Sequence, residues 1–168
     1  MQSDRQLIKA TNQWFVMFLI MAGMASLFYW HPSIEVKNIG EIQFSQTLSN
    51  FNSNIQEHYK NLRNNTYYDF GFIIIYSLLF YTTYRVFQSS TRTRVSKLWI
   101  ILCLAPGVFD IIENILLLNL LTHSESTWMF NAFWFVVRAK WTLVIPFVLI
   151  NLTILVYYLI RGVNSVVD

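Results

Sequence analysis

Four stretches of this chain, 14–30, 70–87, 98–121 and 141–160, are apolar with few interruptions, and a helix of about 20 such residues spans the roughly 30 Å hydrocarbon core of a bilayer. In lipid a backbone has to satisfy its own hydrogen bonds, so runs of this kind are predicted as helices. Composition agrees: 55% of the residues are hydrophobic, 17% aromatic and 12% charged, whereas a soluble domain carries about 25% charged residues. The predicted class is an all-α integral membrane protein. It is read as one domain over 1–168, with four transmembrane helices in an antiparallel bundle.

The boundaries of the runs carry information. The first follows Arg5 and Lys9 and stops at His31 and Pro32. It is read as a retained span, because the small-residue site Gly23-Met24-Ala25 falls inside it and is followed by Leu27, Phe28, Tyr29 and Trp30. The third run is interrupted by Pro106-Gly107. The last apolar stretch, 128–160, is too long for one upright span and is divided by Arg138 and Lys140. Residues 128–137 are expected either to extend the last helix or to lie in the membrane interface, where Trp128 and Trp134 are at home.

Orientation follows from the basic residues. Arg85, Arg92, Arg94 and Lys97 crowd the short connection between the second and third runs, and such loops stay cytoplasmic during insertion. On this map Arg5, Lys9, Arg85, Arg92, Arg94, Lys97 and Arg161 lie inside and Lys37, Lys60 and Arg63 outside, seven against three. Both termini are thus expected in the cytoplasm, with a bacterial inner membrane or a plasma membrane as the location. The formal charge of +3 is accounted for by this asymmetry and does not call for a nucleic-acid partner.

Between the first and second runs, Phe44, Leu48, Phe51, Ile55, Tyr59 and Leu62 are spaced 4, 3, 4, 4 and 3 residues apart. That spacing puts all six on one face, and an extracytoplasmic amphipathic helix is predicted over 41–63. It is expected to lie over the outer mouth of the bundle, on the lipid surface or against a partner. Asn64-Asn65-Thr66 also matches a weak glycosylation pattern.

Several chemistries are excluded. The chain has no glycine-rich phosphate loop, no Gly-x-Ser-x-Gly elbow and no Cys-x-x-Cys pair, and its five glycines leave little material for such loops. Its single cysteine, Cys103, is read as a small apolar residue. His31, His58 and His123 are all predicted outside the spans, and no Glu-x-x-His or His-x-x-x-His pair is present to build a bundle metal site. No metal is therefore assigned, and no residue pattern names a cofactor.

The residues that do not suit lipid define the candidate site, since ionisable groups inside spans are costly and usually functional. At about 1.5 Å per residue, Asp69 lies about 24 Å from Arg85, Glu113 about 24 Å and Asp110 about 20 Å from Lys97, and Lys140 about 31 Å from Arg161. All four can therefore meet in the outer half of the membrane, with Arg138 nearer the surface. Their rotation agrees: Asp110, Glu113 and Asn114 share a face at i, i+3 and i+4; Asp69, Tyr76 and Thr83 repeat every seven; Lys140, Asn151 and Tyr158 align.

Three readings compete for this cluster, beside a fourth, a metal site in which His31, His58 and His123 approach Asp69 and Glu113, for which the ligand spacing is missing. In the first it is a pocket that binds or processes a lipid or other amphiphile, with Asp110 and Glu113 as acid or base candidates and Asp69, Tyr76, Asn114, Arg138, Lys140 and Asn151 as ligand-binding residues. In the second it is helix-to-helix glue in a non-enzymatic accessory or assembly subunit of a membrane complex. The third is a proton or cation pathway, although the polar stripe thins below Asp110. The partners expected are the bilayer, a lipid-like ligand, and a membrane protein or a second copy of the chain.

Overall fold

A computed structural model describes residues 2–31, 39–91, 96 and 98–167, with the side chains of 2–4, 57, 91 and 161–167 outside the description. The sequence readings that concern Pro32, Lys37, Arg92, Arg94 and Lys97, and the side chain of Arg161, lie outside the described residues. Among the described residues the secondary structure is entirely helical: α1 (Gln2–Trp30), α2 (Ile39–Gln43), α3 (Leu48–Thr91), α4 (Leu98–Leu120) and α5 (Thr127–Val167). Four of these, all but α2, contain segments long and apolar enough to span a membrane: Arg5–Trp30, His58–Ser90, Leu98–Leu120 and Thr127–Ile160.

Length separates the helices into two kinds. The 23 residues of α4 make about 35 Å of helix, close to the thickness of the hydrocarbon core. The 44 residues of α3 make about 66 Å and the 41 of α5 about 60 Å, so both exceed it.

The N-terminal part of α3 and the N-terminal part of α5 cover each other. Phe51 lies 5.4 Å from Phe130 and 5.3 Å from Phe133 between ring centroids, and Ile55, Leu62, Leu117, Leu120 and Val137 complete this core. The Asn52 amide adds a 3.0 Å bond to the carbonyl of Ser124. A second core around Ile73, Tyr76, Phe80, Tyr84, Cys103 and Phe147 holds α3, α4 and α5 together. A third fastens α1 to α3 through Ala10, Trp14, Leu79 and Val86.

These contacts correct the expectation of a separate amphipathic helix over 41–63. Residues 48–63 are the first turns of α3 itself, and α2 is a short helix of its own. Two local bonds explain the break. Thr47 accepts the amide of Asn50 through its hydroxyl at 3.2 Å, an N-cap that starts α3, while the Ser45 hydroxyl donates to the carbonyl of Glu41 at 2.6 Å and satisfies the end of α2. The apolar face is used as the spacing implies at Phe51, Ile55 and Leu62, which are buried, but Phe44 and Tyr59 are exposed. Thr66 of the glycosylation pattern is buried inside α3 with its hydroxyl on the carbonyl of Leu62, which leaves no acceptor loop. Of the two expectations for 128–137, continuous helix is the one observed.

Candidate functional site

Each helix brings its part of the polar cluster by simple periodicity. On α4, Asp110, Glu113 and Asn114 occupy one face and are all buried. Pro106, one turn earlier, withholds an amide from the ladder. Gly107 lets α3 come close, since a Cβ there would stand 2.5 Å from Ser77 Oγ. That approach sets Tyr76 and Asp69 of α3 opposite the acidic face of α4.

Lys140 of α5 is the centre of the network. Its ammonium lies 3.0 Å from Asp110 Oδ1 and 2.5 Å from Glu113 Oε2, and all three residues are buried. The contact with Asp110 is a hydrogen bond, whereas Glu113 Oε2 meets the ammonium as an ion pair outside hydrogen-bonding geometry. The Tyr76 hydroxyl donates to Asp110 Oδ2 at 2.8 Å. The Asn114 amide donates to Asp69 Oδ2 at 2.9 Å. One ammonium thus faces two buried carboxylates, while a phenol holds Asp110 and an amide holds Asp69.

Sequence reasoning missed Gln43 and Trp141. The Gln43 amide donates to Glu113 Oε1 at 2.6 Å, and its carbonyl accepts the Trp141 indole N–H at 3.3 Å. Gln43 reaches the cluster because α2 ends there and the chain turns at 44–47. A continuous helix over 41–63 hides this; the signal that could have found it is Thr47, a capping residue type just before Leu48.

The cluster opens into a cavity of about 830 Å³. Asp69, Tyr76, Asp110, Glu113, Asn114, Lys140, Gln43 and Trp141 form its polar part, and α1 (Met21, Ala25, Phe28, Tyr29), α3 (Phe72, Phe80) and α5 (Val144, Val148) supply apolar walls. Ala25 and Val148 are exposed, so the lining from α1 and α5 includes positions at the bundle surface. The volume falls in the range of small-molecule sites, about 300–1,000 Å³.

Two of the residues expected in the site are placed elsewhere. Arg138 stacks on Trp134 at 3.3 Å from the ring centroid and donates to the carbonyl of the same residue at 3.1 Å; it does not line the cavity. Asn151 forms a separate polar knot, accepting from the Trp14 indole at 2.7 Å and the Thr83 hydroxyl at 2.7 Å and donating to the carbonyl of Phe147 at 2.7 Å. Further along, Thr11 and Tyr158 share a bond of 2.9 Å. Between this knot and the Lys140 cluster stand Phe80 and Phe147, stacked with centroids 4.6 Å apart. The two polar groups are therefore separated by an apolar layer that a proton or cation path would have to cross.

Among the described residues no group of three or more His, Cys, Asp and Glu side chains is placed to hold a metal ion. The chemistry available is recognition of a polar group by paired charges and amides at the end of an apolar cavity. Compared with family models, curated proteins and solved structures, the chain matches none.

Proposed function

We propose that this chain is a multi-pass membrane protein whose cavity binds an amphiphile, the polar end on the Asp69, Tyr76 and Asn114 side of the cluster and the chain between α1 and α5. The observation that carries this reading is the union of a cavity of about 830 Å³ with apolar walls and a buried charged cluster along one side. Helix-to-helix glue alone accounts for the ion pairs but leaves the cavity without a use. Asp110 and Glu113, the acid and base candidates, are both held by Lys140, and this favours binding over proton transfer as their first role.

The same reading takes the four spans as an antiparallel bundle forming a single domain. Trp14 of α1 lies near Thr83 of α3 through Asn151, and Phe28 near Phe72, which supports opposite directions for those two helices. Tyr76 with Asp110 and Asp69 with Asn114 do the same for α3 and α4. With the basic residues setting orientation, both termini are cytoplasmic and the paired starts of α3 and α5 project on the outer side of a bacterial inner membrane or plasma membrane.

Native mass spectrometry of the gently solubilised protein tests the binding reading, with wild type run beside Ala25→Trp, which adds bulk at a position of α1 that lines the cavity, and Glu113→Ala. A lipid-sized adduct on the wild type that both variants lose is expected. A bare chain throughout, or a stoichiometric protein partner on all three, would move the cluster to helix glue in an accessory subunit.

A further inference from the structure

The charges lining the cavity are unequal, and the inequality points to a ligand. Three carboxylates, Asp69, Asp110 and Glu113, line it with one cation, Lys140. Lys140 is already committed to Asp110 and Glu113. Asp69 accepts from the Asn114 amide, and no Lys or Arg among the described residues forms an ion pair with it. An ionised carboxylate away from bulk water is costly, so it is met either by a proton or by a counter-charge, and a bound cation favours the ionised form.

Aromatic rings stand on the same wall. Phe28 and Phe72 are 5.5 Å apart and Phe72 and Tyr76 5.7 Å apart between centroids, a run of three rings from α1 to α3, and each of these residues lines the cavity with Asp69. Ring faces attract a cation within about 6 Å. A carboxylate without a cation and a row of rings beside it form a site for a positive headgroup, and they would oppose an anionic one.

We propose that the cavity takes an amphiphile whose headgroup is an ammonium, held by Asp69 and the Phe28, Phe72 and Tyr76 rings, with its hydrocarbon chain along Ala25 and Val144. This deepens the amphiphile reading and rests on it. An anionic headgroup would meet three carboxyl groups against one ammonium that two of them already hold. A neutral alcohol would gain hydrogen bonds but leave the Asp69 carboxylate uncompensated.

The test uses the full chain in dodecyl maltoside micelles, whose headgroup is uncharged, titrated with oleylamine, oleyl alcohol and oleic acid, which share a chain and differ in headgroup. Thermal unfolding midpoints are read for wild type, Asp69→Asn, Asp69→Glu and Ala25→Trp, each first shown to fold by its midpoint without additive. Oleylamine is expected to raise the wild-type midpoint at the lowest concentration of the three. The concentration needed should rise about tenfold or more in Asp69→Asn, a loss of the order a desolvated cation contact provides, and return toward wild type in Asp69→Glu. Equal responses to amine and acid, or an Asp69→Asn response equal to wild type, would overturn the ammonium headgroup while leaving an amphiphile pocket standing. A shift absent with all three compounds, or undiminished in Ala25→Trp, would overturn the pocket itself.

Discussion

Lys140 sits where a charge is hardest to keep, inside a span and buried, and it is kept there by two carboxylates of α4. Removing one partner of a buried pair leaves an uncompensated charge, a loss of about 3–5 kcal/mol. Lys140→Met, which retains most of the side-chain volume, is therefore expected to lower unfolding stability by about that amount, measured by denaturant titration in detergent micelles. A change below about 1 kcal/mol would mean that Asp110 and Glu113 are not relying on Lys140 for neutrality. Much of this cluster was legible in the sequence, because ionisable residues in apolar runs are few and their depth and rotation can be computed from helix geometry. Asp110, Glu113, Asn114 and Lys140 could be brought together on that basis alone. The same computation misassigned Arg138 and Asn151 to the cluster. It fixes height and angle on one helix but not which neighbour a side chain meets, and Asn151 meets Trp14 and Thr83 instead.

At the scale of elements, α3 and α5 are each longer than a bilayer requires, and their N-terminal turns form a core around Phe51 with Ile42 of α2 and the end of α4. Phe51 is fully buried, and truncating a buried phenylalanine costs about 3–5 kcal/mol in a packed core. Phe51→Ala is expected to expose this part of α3 to proteolysis, with cuts mapping to 48–63 while α4 stays protected, as read by limited digestion and peptide mass mapping. Cuts no faster than in wild type would show that the two extensions do not depend on each other. The periodicity of Leu48, Phe51, Ile55 and Leu62 revealed that a helix was present, and its apolar side. It did not reveal where the helix began or that it ran on into the span, because a 3.6-residue pattern is the same for a surface helix and for the extension of a transmembrane one. The boundary lay in one residue, Thr47, whose hydroxyl takes the Asn50 amide. Gly107 is the second local control, since a larger side chain would have to displace Ser77. Gly107→Leu is expected to separate α3 from α4 and to weaken ligand retention together with stability, measured side by side in the adduct and unfolding experiments.

For the whole molecule, the proposed topology sets the basic connection between the second and third apolar helices inside and the starts of α3 and α5 outside. Cys103 is fully buried, which gives a quiet background for single engineered cysteines. Ser53→Cys is expected to react with a membrane-impermeant maleimide on intact cells, and Gln88→Cys only after permeabilisation. The opposite pattern would invert the topology, and labelling of both from one side would break it. The proposed orientation rests on the sequence alone, because charge asymmetry acts during insertion, before tertiary contacts form. A pocket was expected from the charges, but its volume and apolar walls were not readable, because they depend on how α1, α2 and α5 stand around the cluster.

The proposed function stands or falls on whether a hydrocarbon chain occupies the space between α1 and α5 beside Lys140. Photocrosslinking in native membranes, with an amphiphile carrying a diazirine in its chain, followed by peptide mapping, locates that chain directly. Crosslinks concentrated at Phe28, Phe72 and Val144 and lost in Ala25→Trp are expected. Crosslinks spread over outward residues such as Leu104, Val108 and Ile115, and unchanged in Ala25→Trp, would show that lipid only bathes the bundle and that the cavity binds none.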